Sequence, residues 1–117
     1  MRLNRNMEVL KHMIQYCDEI EHTISRFGEE YRIFAEDSVY QNAVALCVLQ
    51  IGELTTHFTD DFKTVYHGVP WNQIKALRNV VAHNYGKIDK EILWETITMD
   101  IPALKAYCTR IAKEDQK

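Results

Sequence analysis

Glycine, proline and cysteine are all scarce in this sequence. Its 117 residues include only four Gly and two Pro, which leaves little material for a turn-rich all-β fold or for disordered linkers. The three cysteines, Cys17, Cys47 and Cys108, are an odd number at wide spacing and form no CxxC pair. Each falls among the apolar positions of a helical pattern, so we expect a helical domain whose cysteines are reduced core residues.

Long apolar runs are also missing. The longest, from Ala43 to Leu49, has seven residues and is well short of a membrane span. The first twenty residues carry six charged side chains where a signal peptide would need an apolar stretch. These features predict one cytoplasmic domain over residues 1–117 with no membrane segment.

The sequence has no excess of positive charge. A formal net charge of −3 argues against a protein held to nucleic acid by bulk electrostatics, because that mode needs many more Lys and Arg than Asp and Glu. There is no Gly-rich phosphate loop either. Any contact with a phosphate must therefore be local.

Apolar residues at three- and four-residue steps predict four long helices. Helix one runs from about Met7 to Phe27, with Asn4 or Asn6 as its cap and Gly28 at its end. The residues 29–37 are expected to be a connection that can contain a helical turn. Helix two follows a capping box formed by Ser38 and Gln41 and continues to Phe58.

The second half of the chain completes the predicted bundle. A short helix is expected between Thr59, its cap, and Gly68, and a third long helix should begin at Pro70 and run to about His83. The last helix should start after the cap Asp89, and Pro102 should kink it. The sum is an all-α fold, an antiparallel bundle of four long helices plus one short helix.

Helix two has apolar residues on a second side. Ala45, Leu46 and Leu49 lie opposite its main stripe, so this helix needs two neighbours. Burial within the chain and a seam between two subunits explain the pattern equally well.

The segment that ends at His83 carries a polar arc on one side. Lys75, Arg78, Asn79 and His83 fall within it on an ideal helix, and Asn79 and His83 are neighbours one turn apart. Arg78 and His83 are about 140° apart in that projection, so they converge only if Arg78 reaches round or the helix unwinds. A solvated helix face is the ordinary explanation of such a pattern.

This arc would also suit RNA chemistry. A neutral imidazole can take the proton of a ribose 2′-hydroxyl, and a fixed guanidinium can hold the phosphate and the charge that builds on it. Because this chemistry requires no metal, we predict neither a metal site nor a cofactor.

Four segments together resemble a known family. Arg78 is followed after four residues by His83 and, after one more, by Tyr85. This spacing resembles the Arg-x4-His-x-Tyr motif of the HepT branch of the HEPN superfamily. Three other segments are also similar to that family. They are residues 49–53 with the sequence Leu-Gln-Ile-Gly-Glu, the Pro70-Trp71 pair, and the segment from residue 88 to Pro102. The likeness spans essentially the whole chain.

The resemblance implies a fold and an activity. It implies an all-α homodimer in which the Arg and His of both subunits line a cleft at the two-fold axis. It implies a metal-independent endoribonuclease that is the toxin of a toxin–antitoxin pair. In that enzyme His83 would be the base or acid and Arg78 would hold the phosphate. Asn79 would occupy the polar position that follows the arginine. Glu53 and Lys75 are candidates for a supporting role.

The same resemblance implies regulation. Tyr85 would be modified with AMP by a cognate MntA-type nucleotidyltransferase, which would silence the toxin. Two alternatives stay open at this point: a non-catalytic partner that binds nucleotide or substrate for a separate nucleotidyltransferase, and a purely structural dimerisation module.

Overall fold

The computed structural model describes residues 2–82 and 89–115, and every regular element within these ranges is helical. The helices, in chain order, are α1 Arg2–Phe27, α2 Tyr31–Glu36, α3 Ser38–Thr55, α4 Asp60–Val65, α5 Trp71–Ala82, α6 Lys90–Glu95 and α7 Ile101–Asp115, with a π-helical turn at Thr96–Asp100 between the last two. The all-α prediction is therefore confirmed. No helix among the described residues is long and apolar enough to cross a bilayer.

Helix α3 lies at the centre of the bundle. It packs against α1 on one side and α5 on another, while α1 also contacts α7. Its buried residues include Val44, Val48 and Ile51, all fully shielded from solvent. This placement explains why apolar residues surround much of α3, since each neighbour requires its own apolar stripe.

The start of α1 differs from the prediction. The helix begins at Arg2, so Asn6 lies inside it instead of capping it. The Asn6 side chain is buried, donates to the Thr59 hydroxyl at 3.1 Å and accepts from the Thr59 N–H at 3.1 Å. The end of α1 is as expected: Gly28 has φ +117° and its N–H donates to the Ile24 carbonyl.

The predicted capping box at the start of α3 is wrong. Asp37 is the cap, because its carboxylate accepts from the N–H groups of Val39 and Tyr40, and Ser38 is already helical. The Gln41 amide instead donates to the carbonyls of Phe34 and Ala35 at the end of α2. Asp37 thus joins the end of α2 to the start of α3, and the six-residue helix α2 lies where a connection was expected.

Two other caps agree with the sequence. Thr59 caps α4 through its hydroxyl, which accepts from the Phe62 N–H, and Asp89 caps α6 by accepting from the Ile92 N–H. Helix α5 begins at Trp71 directly after Pro70, as expected. Its predicted end near His83, Asn84 and Gly86 lies outside the described residues.

The last predicted helix is divided just before Pro102. The helix changes to π geometry at Thr96–Asp100, where the Ile101 N–H donates to the Thr96 carbonyl. Proline has no N–H to donate and its ring crowds the preceding turn, and a wider turn relieves both problems. The bundle therefore departs from four continuous long helices within the described ranges.

The three cysteines are buried and free, as the sequence predicts. Burial raises the pKa of Cys17, Cys47 and Cys108 from 9.0 to about 12. The Cys47 thiol also faces the Glu19 carboxylate, with Sγ and Oε2 3.7 Å apart. These thiols are protonated core groups at neutral pH.

Candidate functional site

The polar face of α5 is only partly described by the structure. Lys75 and Asn79 are exposed on it, and Arg78 is partly buried. His83 and Tyr85, the other two residues of the predicted motif, lie outside the described residues. The geometry that follows is therefore that of the Arg78 half of the site.

Arg78 forms an ion pair with Glu53 of the neighbouring helix. The Arg78 Nη1 donates to the Glu53 Oε1 at 2.7 Å, a short distance typical of a charge-assisted hydrogen bond. The side chains remain 33% and 50% exposed, respectively. The sequence named both residues, but nothing in the sequence showed that they are partners across 25 positions.

A glycine brings the two helices together at this point. A Cβ on Gly52 would lie 3.0 Å from both the Cβ and the N of Arg78, and 3.2 Å from the Lys75 carbonyl oxygen. The bare α-carbon of Gly52 therefore lets the α5 backbone approach α3 closely. The Leu-Gln-Ile-Gly-Glu segment places the glycine and the carboxylate next to each other in this contact.

Helix α5 is anchored at its start by an aromatic cluster. The Trp71 indole N–H donates to the Tyr66 carbonyl at 2.6 Å, and its ring lies 5.1 Å from Phe58 and 6.1 Å from Phe62. Trp71 is buried, and the rings pack at distances typical of aromatic pairs. This cluster fixes the position from which α5 carries Lys75, Arg78 and Asn79.

An apolar stripe on α3 leads to the ion pair. Val39 and Leu46 are 63% and 57% exposed, and Glu53 follows at the same seven-residue spacing. Residues seven apart lie on nearly the same side of a helix, so the three form one line along the outside of α3. We call Val39, Leu46 and Glu53 the α3 stripe.

The stripe revises the expectation for helix two. Of the three residues expected on its second side, Ala45 is buried, Leu49 is half-buried against the core and only Leu46 is open to solvent. Val39 was not singled out from the sequence, because its apolar character alone did not show which side of α3 would lack a neighbour. Its seven-residue spacing to Leu46 was the signal that could have found it.

A separate groove lies between α5 and α7. It encloses about 330 Å³ and is lined on the α5 side by Gln73, Ile74 and Leu77 and on the α7 side by Leu104 and Tyr107. Neither Arg78 nor Glu53 lines it. The groove is therefore distinct from the ion pair.

The chain resembles ribonucleases of the HepT kind along most of its length. A family model described as ribonuclease HepT-like matches residues 13–111. A protein of Caldanaerobacter subterraneus subsp. tengcongensis named as an RNase is 27% identical over 107 residues, which cover 92% of this chain and 94% of the relative. The probable ribonuclease HepT of Thermococcus cleftensis is 32% identical over 92 residues, which cover 77% of this chain and 84% of the relative.

A third relative points the same way. A Methanocaldococcus jannaschii protein also named as an RNase is 32% identical over 76 residues, 65% of this chain and 70% of the relative. No solved structure is significantly similar to the chain. The region that the family model matches, residues 13–111, includes α3 and α5. It therefore contains Gly52, Glu53 and Arg78.

Proposed function

Because this chain belongs to the HepT-like ribonuclease family, we propose that it is a metal-independent endoribonuclease. The ribose 2′-oxygen would attack the adjacent phosphorus while the bond from phosphorus to the 5′-oxygen breaks. The products would be a 2′,3′-cyclic phosphate and a 5′-hydroxyl, whose oxygen takes up a proton as it leaves. The observation that carries the proposal is the position of Arg78, a partly exposed guanidinium on the polar face of α5, held against Glu53 in a family of ribonucleases.

The proposed chemistry divides between two side chains. His83 takes the 2′-hydroxyl proton as a general base, and Arg78 binds the phosphate and stabilises the charge that develops on it. Asn79 lies one helical turn before His83 in sequence and offers an amide to the same substrate or to the imidazole. Lys75 adds a positive charge one turn before Asn79.

We further propose that the active species is a homodimer. The α3 stripe supports this, since it exposes two apolar side chains in line with Glu53, which is a member of the ion pair. Packing two copies about this stripe would bring two Arg78 side chains to one cleft and concentrate positive charge in a chain of net charge −3. The Arg78 side chain of one protomer cannot surround a phosphodiester by itself.

Control by AMP modification completes the proposal. A cognate MntA-type nucleotidyltransferase would add AMP to Tyr85, two residues past His83. The added phosphate would repel RNA by like charge next to the site. In this proposal the chain is the toxin of a toxin–antitoxin pair and the transferase is its antitoxin.

Cleavage of RNA in EDTA tests the activity. The wild-type protein should cut a labelled RNA, whereas Arg78→Ala and His83→Ala should lose at least about a hundredfold in rate with unchanged circular dichroism. Equal cleavage by all three proteins would indicate a contaminant and remove the claim. Binding of RNA or nucleotide by the wild type without any cleavage would favour a non-catalytic partner of a nucleotidyltransferase instead.

A further inference from the structure

We propose that Glu53 is a positioning residue that orients the Arg78 guanidinium for the RNA phosphate. The proposal rests on the proposed ribonuclease function and assigns a cause to the orientation of its phosphate-binding group. Gly52 and Glu53 act together in it: the glycine fixes how closely α5 approaches α3, and the carboxylate fixes where the Arg78 side chain points.

The backbone contact is the first part of the argument. Arg78 meets Gly52 through its own N and Cβ, so the base of its side chain is held against α3 by packing that no side-chain rotation can change. An arginine has several rotatable bonds beyond its Cβ, and each is free to turn when the tip has no partner. A fixed base alone therefore does not fix the guanidinium.

The carboxylate supplies the second fixed point. Glu53 is the residue immediately after Gly52, and its Oε1 accepts from the Arg78 Nη1 at 2.7 Å. A guanidinium carries five N–H donors in one plane, so this contact through Nη1 restrains the tip of the side chain while other N–H groups can bind a phosphate. The side chain is thus restrained at both ends, by the ion pair at its tip and by the contact with Gly52 at its base.

The exposure of the pair favours positioning over stability. The two side chains are 33% and 50% exposed, and ion pairs that open to water contribute little to the free energy of unfolding. Pre-orientation of a transition-state contact has a larger effect on rate, because a misplacement of about 1 Å can cost on the order of a hundredfold. The same pair can therefore be nearly neutral for folding and important for catalysis.

The fold contains a control carboxylate of similar exposure. Lys105 on α7 pairs with Glu21 on α1 at 2.7 Å, and these side chains are 29% and 51% exposed. Lys105 also pairs with Asp18 at 2.7 Å, so it keeps a partner when Glu21 is changed. This pair has the same length and nearly the same exposure as the Arg78–Glu53 pair. It joins a different pair of helices, so Glu21→Gln removes a comparable charge without touching α3 or α5.

The test compares Glu53→Ala, Glu53→Gln and Glu21→Gln with the wild type in RNA cleavage. For Glu53→Ala we expect kcat to fall about 10- to 100-fold, because the guanidinium is no longer oriented. We expect KM to rise no more than about twofold, because the phosphate no longer competes with the carboxylate for Arg78. Glu53→Gln keeps one acceptor oxygen and should fall between. Glu21→Gln should match the wild type, and all four proteins should have the same thermal midpoint within about 3 °C. A wild-type kcat in Glu53→Ala would overturn the proposal.

A second readout separates this proposal from the ribonuclease function. In protein with ¹⁵N-labelled arginine, NMR relaxation at the Arg78 Nε reports the mobility of its side chain whether or not RNA is cut. We expect a restricted Arg78 in the wild type and in Glu21→Gln, and a mobile one in Glu53→Ala. Equal mobility in all three would overturn the positioning role, whereas a restricted Arg78 in a protein that cuts no RNA would count against the proposed function alone.

Discussion

Gly52 lies directly against Arg78, and a Cβ at position 52 would be closer to Arg78 than side-chain atoms ordinarily pack. A Cβ at position 52 would stand 3.0 Å from the Arg78 N, a backbone atom that cannot rotate away. Arg78, whose side chain binds phosphate in our proposal, thus also lies at the contact where Gly52 lets α5 approach α3 closely.

Gly52→Ala should therefore destabilise the protein, although the same change usually stabilises a helix. Alanine favours helical backbone over glycine by up to about 1 kcal/mol, but overpacking against a fixed neighbour costs about 1–3 kcal/mol. We expect a net loss of about 1 kcal/mol in urea denaturation and a fall in cleavage rate as Arg78 moves. A variant more stable than the wild type would show that the contact is loose.

Leu46→Asp should weaken the proposed dimer. Leu46 is 57% exposed at the middle of the α3 stripe, and a carboxylate there would have to be desolvated in the interface. Light scattering after size exclusion should show a dimer dissociation constant raised at least about tenfold, with an unchanged far-ultraviolet spectrum. Val65→Asp is the control, because Val65 is 67% exposed on α4, away from the stripe. Equal dimer populations for the two variants would place the interface elsewhere.

Asn6→Ala should destabilise the fold without changing the site. The Asn6 amide is buried and makes two hydrogen bonds with Thr59, so its removal leaves the Thr59 N–H unpaired. Such a loss costs about 1–3 kcal/mol. Urea denaturation measures it, with the exposed α1 residue Gln15→Ala as a control expected to stay within about 0.5 kcal/mol of the wild type. A stability equal to that of the control would show that the two hydrogen bonds contribute nothing.

Alkaline pH should lower the stability of the fold. Burial raises the pKa of Cys17, Cys47 and Cys108 from 9.0 to about 12, so the folded chain keeps three protons that the unfolded chain loses first. The contribution of these thiols is fully present below pH 9 and is lost as pH rises from 9 toward 12. Under reducing conditions the urea midpoint should be lower at pH 10 than at pH 8, and Cys108→Ala should make this difference smaller. A flat profile would contradict the burial of the thiols.

The helices could be predicted because their information is local. Apolar spacing marked each long helix, and Thr59 and Asp89 were recognisable as caps because each stands just before its helix. Asn6 also looked like a cap, but it bonds to Thr59, 53 positions away, and such a partner is invisible in a local pattern. At α3 two neighbouring residues could cap, and the carboxylate of Asp37 does so rather than Ser38.

The candidate site was predictable only as a set of residues. Arg78 and Glu53 were both named from the sequence, yet their ion pair depends on how α5 packs against α3, which helical periodicity does not specify. Gly52 belonged to the segment that resembles the HepT family, but its role as the contact point of two helices follows from the packing alone. The roles of His83 and Tyr85 stay predictions.

Subunit mixing tests the shared cleft most directly. In the proposed dimer, Arg78→Ala and His83→Ala should each be inactive alone, and mixing them should give heterodimers that keep one arginine and one histidine on facing protomers. After exchange of subunits is verified by mass spectrometry, the mixture should cut RNA in EDTA at a measurable fraction of the wild-type rate. A mixture as inactive as its two components, with exchange complete, would contradict a site built from both subunits.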